Sequence, residues 1–185
     1  GLLDIDEKGV YVCSTGVIGH FLPMDKVRTG IADAVDKMDE NEGESAALAI
    51  QTTDTFVKKI AYEFELGGKK ARIAGIAKGA GMIHPNMATM LTFITTDAAI
   101  APDVLKRTVK AVADKSFNMV VVDGDTSTND SMIVLANGLA ENEIILSEEH
   151  PDYPVFFEAF LRAAQELAKM IAHDGEGATK FLEVN

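Results

Sequence analysis

The stretch from Ile60 to Lys78 leaves the chain little conformational choice. Ile60, Tyr62, Phe64 and Leu66 alternate with Ala61, Glu63 and Glu65; after Gly67-Gly68, Ala71, Ile73, Gly75 and Ala77 alternate with Arg72, Ala74, Ile76 and Lys78. Period-two patterning on both sides of a two-glycine turn predicts a β-hairpin. Its second strand delivers Lys78 to a loop punctuated by glycine and proline, Lys78-Gly79-Ala80-Gly81-Met82-Ile83-His84-Pro85-Asn86-Met87-Ala88-Thr89-Met90-Leu91. That loop runs without a break into the apolar, β-branched run Thr89 to Thr96.

Ala88-Thr89 carries the most chemistry in this loop. A small residue followed by threonine, where an irregular loop becomes a strand, is a place where a chain can cut itself and expose a new N-terminal threonine. The hydroxyl of such a residue is a nucleophile, and the freed α-amine, with an unperturbed pKa of about 7.7–8, can take the hydroxyl proton. Taken alone, the dipeptide has a plainer reading: a β-branched residue opening a strand after a glycine turn. His84 is the only histidine near the loop, and neither a Ser-His-Asp set nor a G-x-S-x-G elbow is evident. A threonine nucleophile here must bring its own base.

Composition narrows the function. With 185 residues, 47% apolar and 25% charged, the chain has ordinary globular composition and length enough for one domain with a substantial core. A net charge of −12 argues against binding nucleic acid or anionic lipid through the overall field, and favours small-molecule chemistry. Cys13 is the only cysteine, so no intramolecular disulfide forms; it reads as a small core residue in a chain suited to a reducing compartment. No apolar span long enough for a membrane helix is visible. The chain opens on Gly1 and closes on Phe181-Leu182-Glu183-Val184-Asn185, which reads as a strand stopped short; a piece of a longer protein is expected.

Gly9 to Ser14 reads as a short strand ending at Ser14-Thr15-Gly16-Val17-Ile18-Gly19, a loop whose freed N–H groups suit an oxyanion or an anionic ligand, though plain turns share the pattern. A helix follows from Pro23, with Met24, Val27, Ile31, Ala34, Val35 and Met38 as its packing stripe. Ala46 to Gln51 reads as a buried strand feeding Thr52-Thr53-Asp54-Thr55, which can cap the next element or hold a polar ligand. Pro102 to Phe117 reads as a helix, Met119 to Val122 and Ser131 to Asn137 as strands, and Asp152 to His173 as a long helix with an aromatic core stripe. Asp123-Gly124-Asp125-Thr126-Ser127-Thr128-Asn129-Asp130 fails as a calcium loop. Thr128 stands where that turn needs glycine and Val134 where it needs glutamate, so a side-chain-bonded turn is expected and no metal site.

Five stretches occurring in this order, S-T-G-V-I-G (14–19), T-T-D-T (52–55), K-G-A-G-M-I-H-P-N-M-A-T-M-L (78–91), D-G-D-T-S-T-N-D (123–130) and E-G-A-T-K-F (176–181), resemble the ornithine acetyltransferase family, the arginine biosynthesis bifunctional proteins. The resemblance implies self-cleavage between Ala88 and Thr89 into 1–88 and 89–185, two chains that stay associated as a hetero-oligomer of cleaved halves. It implies that Thr89 accepts the acetyl group of N-acetylornithine and passes it to glutamate, with no cofactor. Acetyl-CoA is a second donor in some members. Thr15 and Gly16 match the family's oxyanion pair, and Thr52, Lys78, Thr89 and Glu176 its substrate-binding residues. Charge complementarity would set Lys78 against a substrate carboxylate and Glu176 against an ammonium.

The fold implied is α/β, with layered sheets between helices, like that of self-processing N-terminal-nucleophile enzymes, and the setting is cytoplasmic. Family members extend past both ends of this sequence. Residues 1–185 are therefore expected to be a single domain or the central part of a larger one. A self-processing amidase or aminopeptidase using the same threonine, and a catalytically incomplete fragment, stay open beside the acetyltransferase.

Overall fold

The computed structural model of the protein describes residues 2–84 and 90–184; Ala88 and Thr89 lie outside the described residues. The hairpin forms as its alternation predicts: β1 (Lys58–Leu66) and β2 (Lys69–Lys78) pair antiparallel from Lys58↔Ala77 to Leu66↔Lys69. Gly67 and Gly68 take φ of +54° and +79°, the left-handed values that a two-residue turn demands and that side chains resist. β3 (Leu91–Thr96) adds antiparallel to β2, and β4 (Ser131–Ala136) adds parallel to β3, for an order β1-β2-β3-β4. The parallel pair requires a crossover, and α3 (Pro102–Asp114) lies within it, opened by Pro102 where a missing N–H costs nothing.

One face of the sheet makes the core. Ile60, Tyr62, Phe64 and Leu66 on β1, Ala71, Ile73 and Ala77 on β2, Ile94 on β3 and Met132 and Val134 on β4 share it with α4 (Tyr153–His173). Phe156, Phe160, Leu167 and Ile171 of α4 are fully buried, each contributing about 1.5–3 kcal/mol by leaving water. Phe156 sits between Phe64 and Phe160 with ring centroids 6.5 and 6.1 Å away. The opposite face carries Arg72, Thr95 and Leu135, all exposed. The α/β class with a helical layer over a mixed sheet is thus as expected.

Several local expectations are corrected. Ala46 to Gln51 is not a strand: α2 (Gly43–Ala49) takes up most of it, because Ala-Ala-Leu-Ala is strongly helix-forming and a short apolar run carries no period of its own. The helix from Pro23 forms as α1 (Met24–Asp36), but it packs nothing away. None of its residues is buried, and Ile31 is 54% exposed. Gly9 to Ser14, Met119 to Val122 and residues 181–184 form no strand, since among the described residues no neighbouring strand completes their hydrogen bonds. Cys13 is half-buried on this irregular segment and is not a core residue. The helices expected at Pro102 and Asp152 and the strand at Ser131 stand within a few residues of their predicted ends.

Candidate active site

The loop that leaves β2 is built from below by a buried ion network. Lys58 opens β1 in phase with Ile60 and Leu66, so its side chain points into the core and the residue is 1% exposed. Its ammonium meets Asp54 Oδ1 at 2.6 Å and Asp174 Oδ2 at 2.5 Å. Asp54 also accepts the Gly79 N–H at 2.8 Å and the Thr52 N–H at 3.1 Å. Asp174, at the C-terminus of α4, accepts the Thr55 N–H at 2.9 Å and the Thr55 hydroxyl. One lysine and two carboxylates therefore tie the 52–55 segment, the start of the 78–91 loop and the end of α4 into one unit.

The electrostatics follow from those contacts. Burial pushes the Asp54 carboxyl up, but the Gly79 N–H, the Lys58 ammonium and the Thr52 N–H outweigh it and hold the group below the usual carboxylate range. Asp174 behaves alike: burial raises it, and Lys58 together with Thr55 lowers it further than burial raises it. Both carboxylates are therefore ionised near neutrality.

Glu176 reaches the same loop, two residues beyond Asp174. Its N–H donates to the Ala80 carbonyl at 2.7 Å, and its carboxylate lies against Gly81, where an added Cβ would stand 2.7 Å from Oε2. Glycine at 81 is what lets the carboxylate approach. Lys78 leaves β2 on the phase of Arg72 and Ile76, yet it is only 1% exposed. Its Nζ has no hydrogen-bond partner among the described residues. Burial lowers its pKa; the charges of Asp54 and Asp130 pull it back up without restoring it. A buried ammonium in that condition is primed for an anion.

The far end of the loop is held by the segment 122–131. Val122 N–H donates to the Ile83 carbonyl at 2.9 Å, and Asp123 accepts the Met82 and Ile83 N–H groups at 2.5 and 3.0 Å. Asp130 Oδ1 accepts the Met90 N–H at 2.8 Å, and Ser131 N–H donates to the Met90 carbonyl at 3.0 Å. The Asn129 side-chain amide donates to the Ser14 carbonyl, beside Thr15 and Gly16. Asp125 N–H bonds back to Asp123 Oδ1 at 3.1 Å, so the side-chain-bonded turn expected here forms. Among the described residues no group of three or more His, Cys, Asp or Glu could hold a metal.

Of the residues singled out from sequence, Lys78 opens the 78–84 segment, Glu176 meets it at Ala80 and Gly81, and Thr52 is linked to it through Asp54, which accepts both the Thr52 and the Gly79 N–H. Thr15, half-buried, and Gly16, exposed, are joined through Ser14 to the 122–131 segment. Lys58, Asp54, Asp174, Asn129 and Asp130 had no role assigned from sequence. The signal for Lys58 was its phase on β1, shared with Leu66 and opposite to Lys59. A cleft of about 310 Å³ between α4 and residues 181–184, lined among others by Gln165, Lys169 and Phe181, shares no residue with this constellation. No described helix is long and apolar enough to cross a membrane.

Fold and site together define an α/β protein in which dispersed carboxylates and lysines meet at one loop between two strands. Within that class the chain belongs to the ArgJ family, whose model matches residues 1–185. It is 55% identical over 182 residues to the arginine biosynthesis bifunctional protein ArgJ of Oceanobacillus iheyensis, covering 98% of this chain and 44% of that one. It is 53% identical over 181 residues to the protein of the same name from Bacillus thuringiensis, again covering 98% and 44%. The chain therefore spans less than half the length of these relatives. The crystal structure of the ArgJ protein of Bacillus halodurans aligns with a TM-score of 0.44 at 52% identity, over 46% of this chain and 39% of that one.

Proposed function

We propose that this chain forms the core of an acetyltransferase that moves the acetyl group of N-acetylornithine to glutamate through an ester on Thr89. In the processing step the Thr89 hydroxyl attacks the Ala88 carbonyl carbon. The peptide C–N bond breaks as the ester forms, and water hydrolyses the ester to free the Ala88 carboxylate and the Thr89 α-amine. In transfer, that amine takes the hydroxyl proton as the oxygen attacks the acetyl carbonyl. Ornithine leaves with a proton, and the glutamate amine then attacks the acetyl ester and regenerates the hydroxyl. Thr15 and Gly16 would steady the oxyanion of each tetrahedral intermediate. Acetyl-CoA is the second donor to be tried, and a cytoplasmic setting suits a protein that handles small metabolites.

The observation that carries this reading is that Lys78 and Glu176 meet at the start of the loop that contains Ala88-Thr89, with Thr52 tied to it through Asp54. A carboxylate brought beside Lys78 would give its ammonium the hydrogen-bond partner it lacks among the described residues, and Glu176 would receive an ammonium. The arrangement also supports association of the halves after a cut. β2 precedes the scissile bond and β3 follows it, and they pair along Ile73↔Thr96 to Lys78↔Leu91. α4 packs on β1 and β2 from the other half, so separation would expose the core.

Intact-mass spectrometry under denaturing conditions tests the first step: two species, 1–88 and 89–185, are expected, and one uncut chain would overturn self-processing. Assay of the full chain with acetylornithine in the presence and absence of glutamate tests the second. Acetylglutamate should form only with glutamate present, whereas release of acetate to water alone would indicate an amidase.

A further inference from the structure

The D-G-D-T-S-T-N-D segment has no part in the chemistry above, yet it holds both ends of the span from Ile83 to Met90. Asp123 takes the Met82 and Ile83 N–H groups on the way in, and Asp130 takes the Met90 N–H on the way out. Between these two carboxylates, Asn129 holds the Ser14 carbonyl, and its own Oδ1 accepts from the Ser127 hydroxyl at 2.8 Å. The Ser14 carbonyl can only accept, which settles the orientation of the amide: its NH₂ group faces Ser14 and its Oδ1 is left for the Ser127 hydroxyl.

A peptide unit is planar and trans, so pinning its carbonyl oxygen also fixes the direction of its N–H on the opposite edge. Asn129, by holding the Ser14 carbonyl, thereby aims the Thr15 N–H. Asp130 holds the Met90 N–H, and Ser131 locks the Met90 carbonyl from the adjacent strand position. From these contacts the geometry assigns Asn129 and Asp130 as positioning residues that hold the oxyanion loop and the nucleophile strand in register with each other. Neither needs to touch substrate. Asp130 is half-buried, and Lys78 is the cation that faces it.

The assignment rests on the acetyl-transfer reading, and the experiment separates the two. In the full chain, Asp130→Ala removes the acceptor for Met90 N–H, Asp130→Asn keeps an acceptor there, and Asn129→Asp sets an oxygen against the Ser14 carbonyl. Misplacing reacting groups by about 1 Å costs about a hundredfold, so Asp130→Ala and Asn129→Asp should lose about that much kcat with KM within about threefold. Asp130→Asn should stay within about fivefold of the parent kcat. Hydrogen exchange at the Met90 amide should quicken in Asp130→Ala while exchange within α4 is unchanged.

Parent-like kcat in both damaging variants would overturn the assignment while leaving acetyl transfer intact. Equal damage in Asp130→Asn and Asp130→Ala would also overturn it, because charge and not geometry would then be at stake. If the parent neither cuts itself nor transfers acetyl, both readings fall. Should Asp130→Ala not fold, the comparison of Asp130→Asn with Asn129→Asp decides.

Discussion

Replacing Lys58 by methionine removes the cation that two buried carboxylates share while keeping an unbranched side chain of similar length. The Lys58 and Asp54 side chains are fully buried and that of Asp174 nearly so, at 2.6 and 2.5 Å from the ammonium. Deleting one member of a buried ionic set leaves charge stranded in a poor solvent, at a cost of about 3–5 kcal/mol. For a chain of this length a loss of 1 kcal/mol lowers Tm by about 2–4 °C, so a fall of about 6–20 °C is expected. The pH dependence gives a second reading. Asp54 and Asp174 titrate below the usual carboxylate range in the folded state, so their stabilisation is complete above that range and is lost as pH falls through their depressed values. Without Lys58, burial still pushes both carboxyls up and the pull of the ammonium on each is gone. The acid limb of the stability curve should therefore move to higher pH. Thermal unfolding of Lys58→Met and parent from pH 3 to 8, followed by circular dichroism, measures both effects. A Tm within about 2 °C of the parent at pH 7, with an unshifted acid limb, would refute the reasoning.

Gly81→Ala would place a Cβ 2.7 Å from Glu176 Oε2, and the far end of a flexible side chain can swing away. Tm should change by less than about 2 °C, while KM for the acetylated donor rises about tenfold, checked by melting and steady-state kinetics. Lys78→Met tests the buried ammonium. Its folded pKa is lowered, so the unfolded chain binds that proton more readily, and Lys78 opposes folding below its folded pKa, an opposition that fades as pH rises through the alkaline range. The variant should melt no lower than the parent at pH 7, lose that alkaline rise, and bind substrate carboxylate weakly by titration calorimetry. Thr89→Ala should give a single uncut mass and no acetyl transfer; normal transfer would sink the threonine mechanism.

Local pattern was readable where the residue period decides the structure by itself. β1 and β2 follow from alternation around Gly67-Gly68, and α3 and α4 from apolar residues recurring at three and four with proline in the first turn. The same logic failed at Ala46 to Gln51, too short to carry a period, and at α1, where a sound amphipathic stripe says that a face wants cover but not that residues 1–185 supply it. It failed again at Met119 to Val122, whose apolar run meets the loop through a bond from Val122 N–H to the Ile83 carbonyl and, among the described residues, enters no sheet.

The two lysines that matter show where sequence stops. Lys58 shares the phase of Ile60 and Leu66, so strand geometry alone turns it inward, and a buried lysine must then find carboxylates. The sequence thus determined that Lys58 would be paired. It did not name Asp54 and Asp174, because the second lies 116 residues away and reaches Lys58 only when α4 packs across the hairpin. Lys78 sits on the opposite phase, with exposed Arg72, and nothing in β2 predicts its burial. Its burial arises where the loops around 54 and 130 come together on the loop that leaves the strand. Sequence patterning determined which segments become strands, helices and turns, because dihedral preference and side-chain period act within a few residues. Only the tertiary structure decided which charges face one another, because desolvation and Coulomb energy depend on distance in space and take no account of separation along the chain.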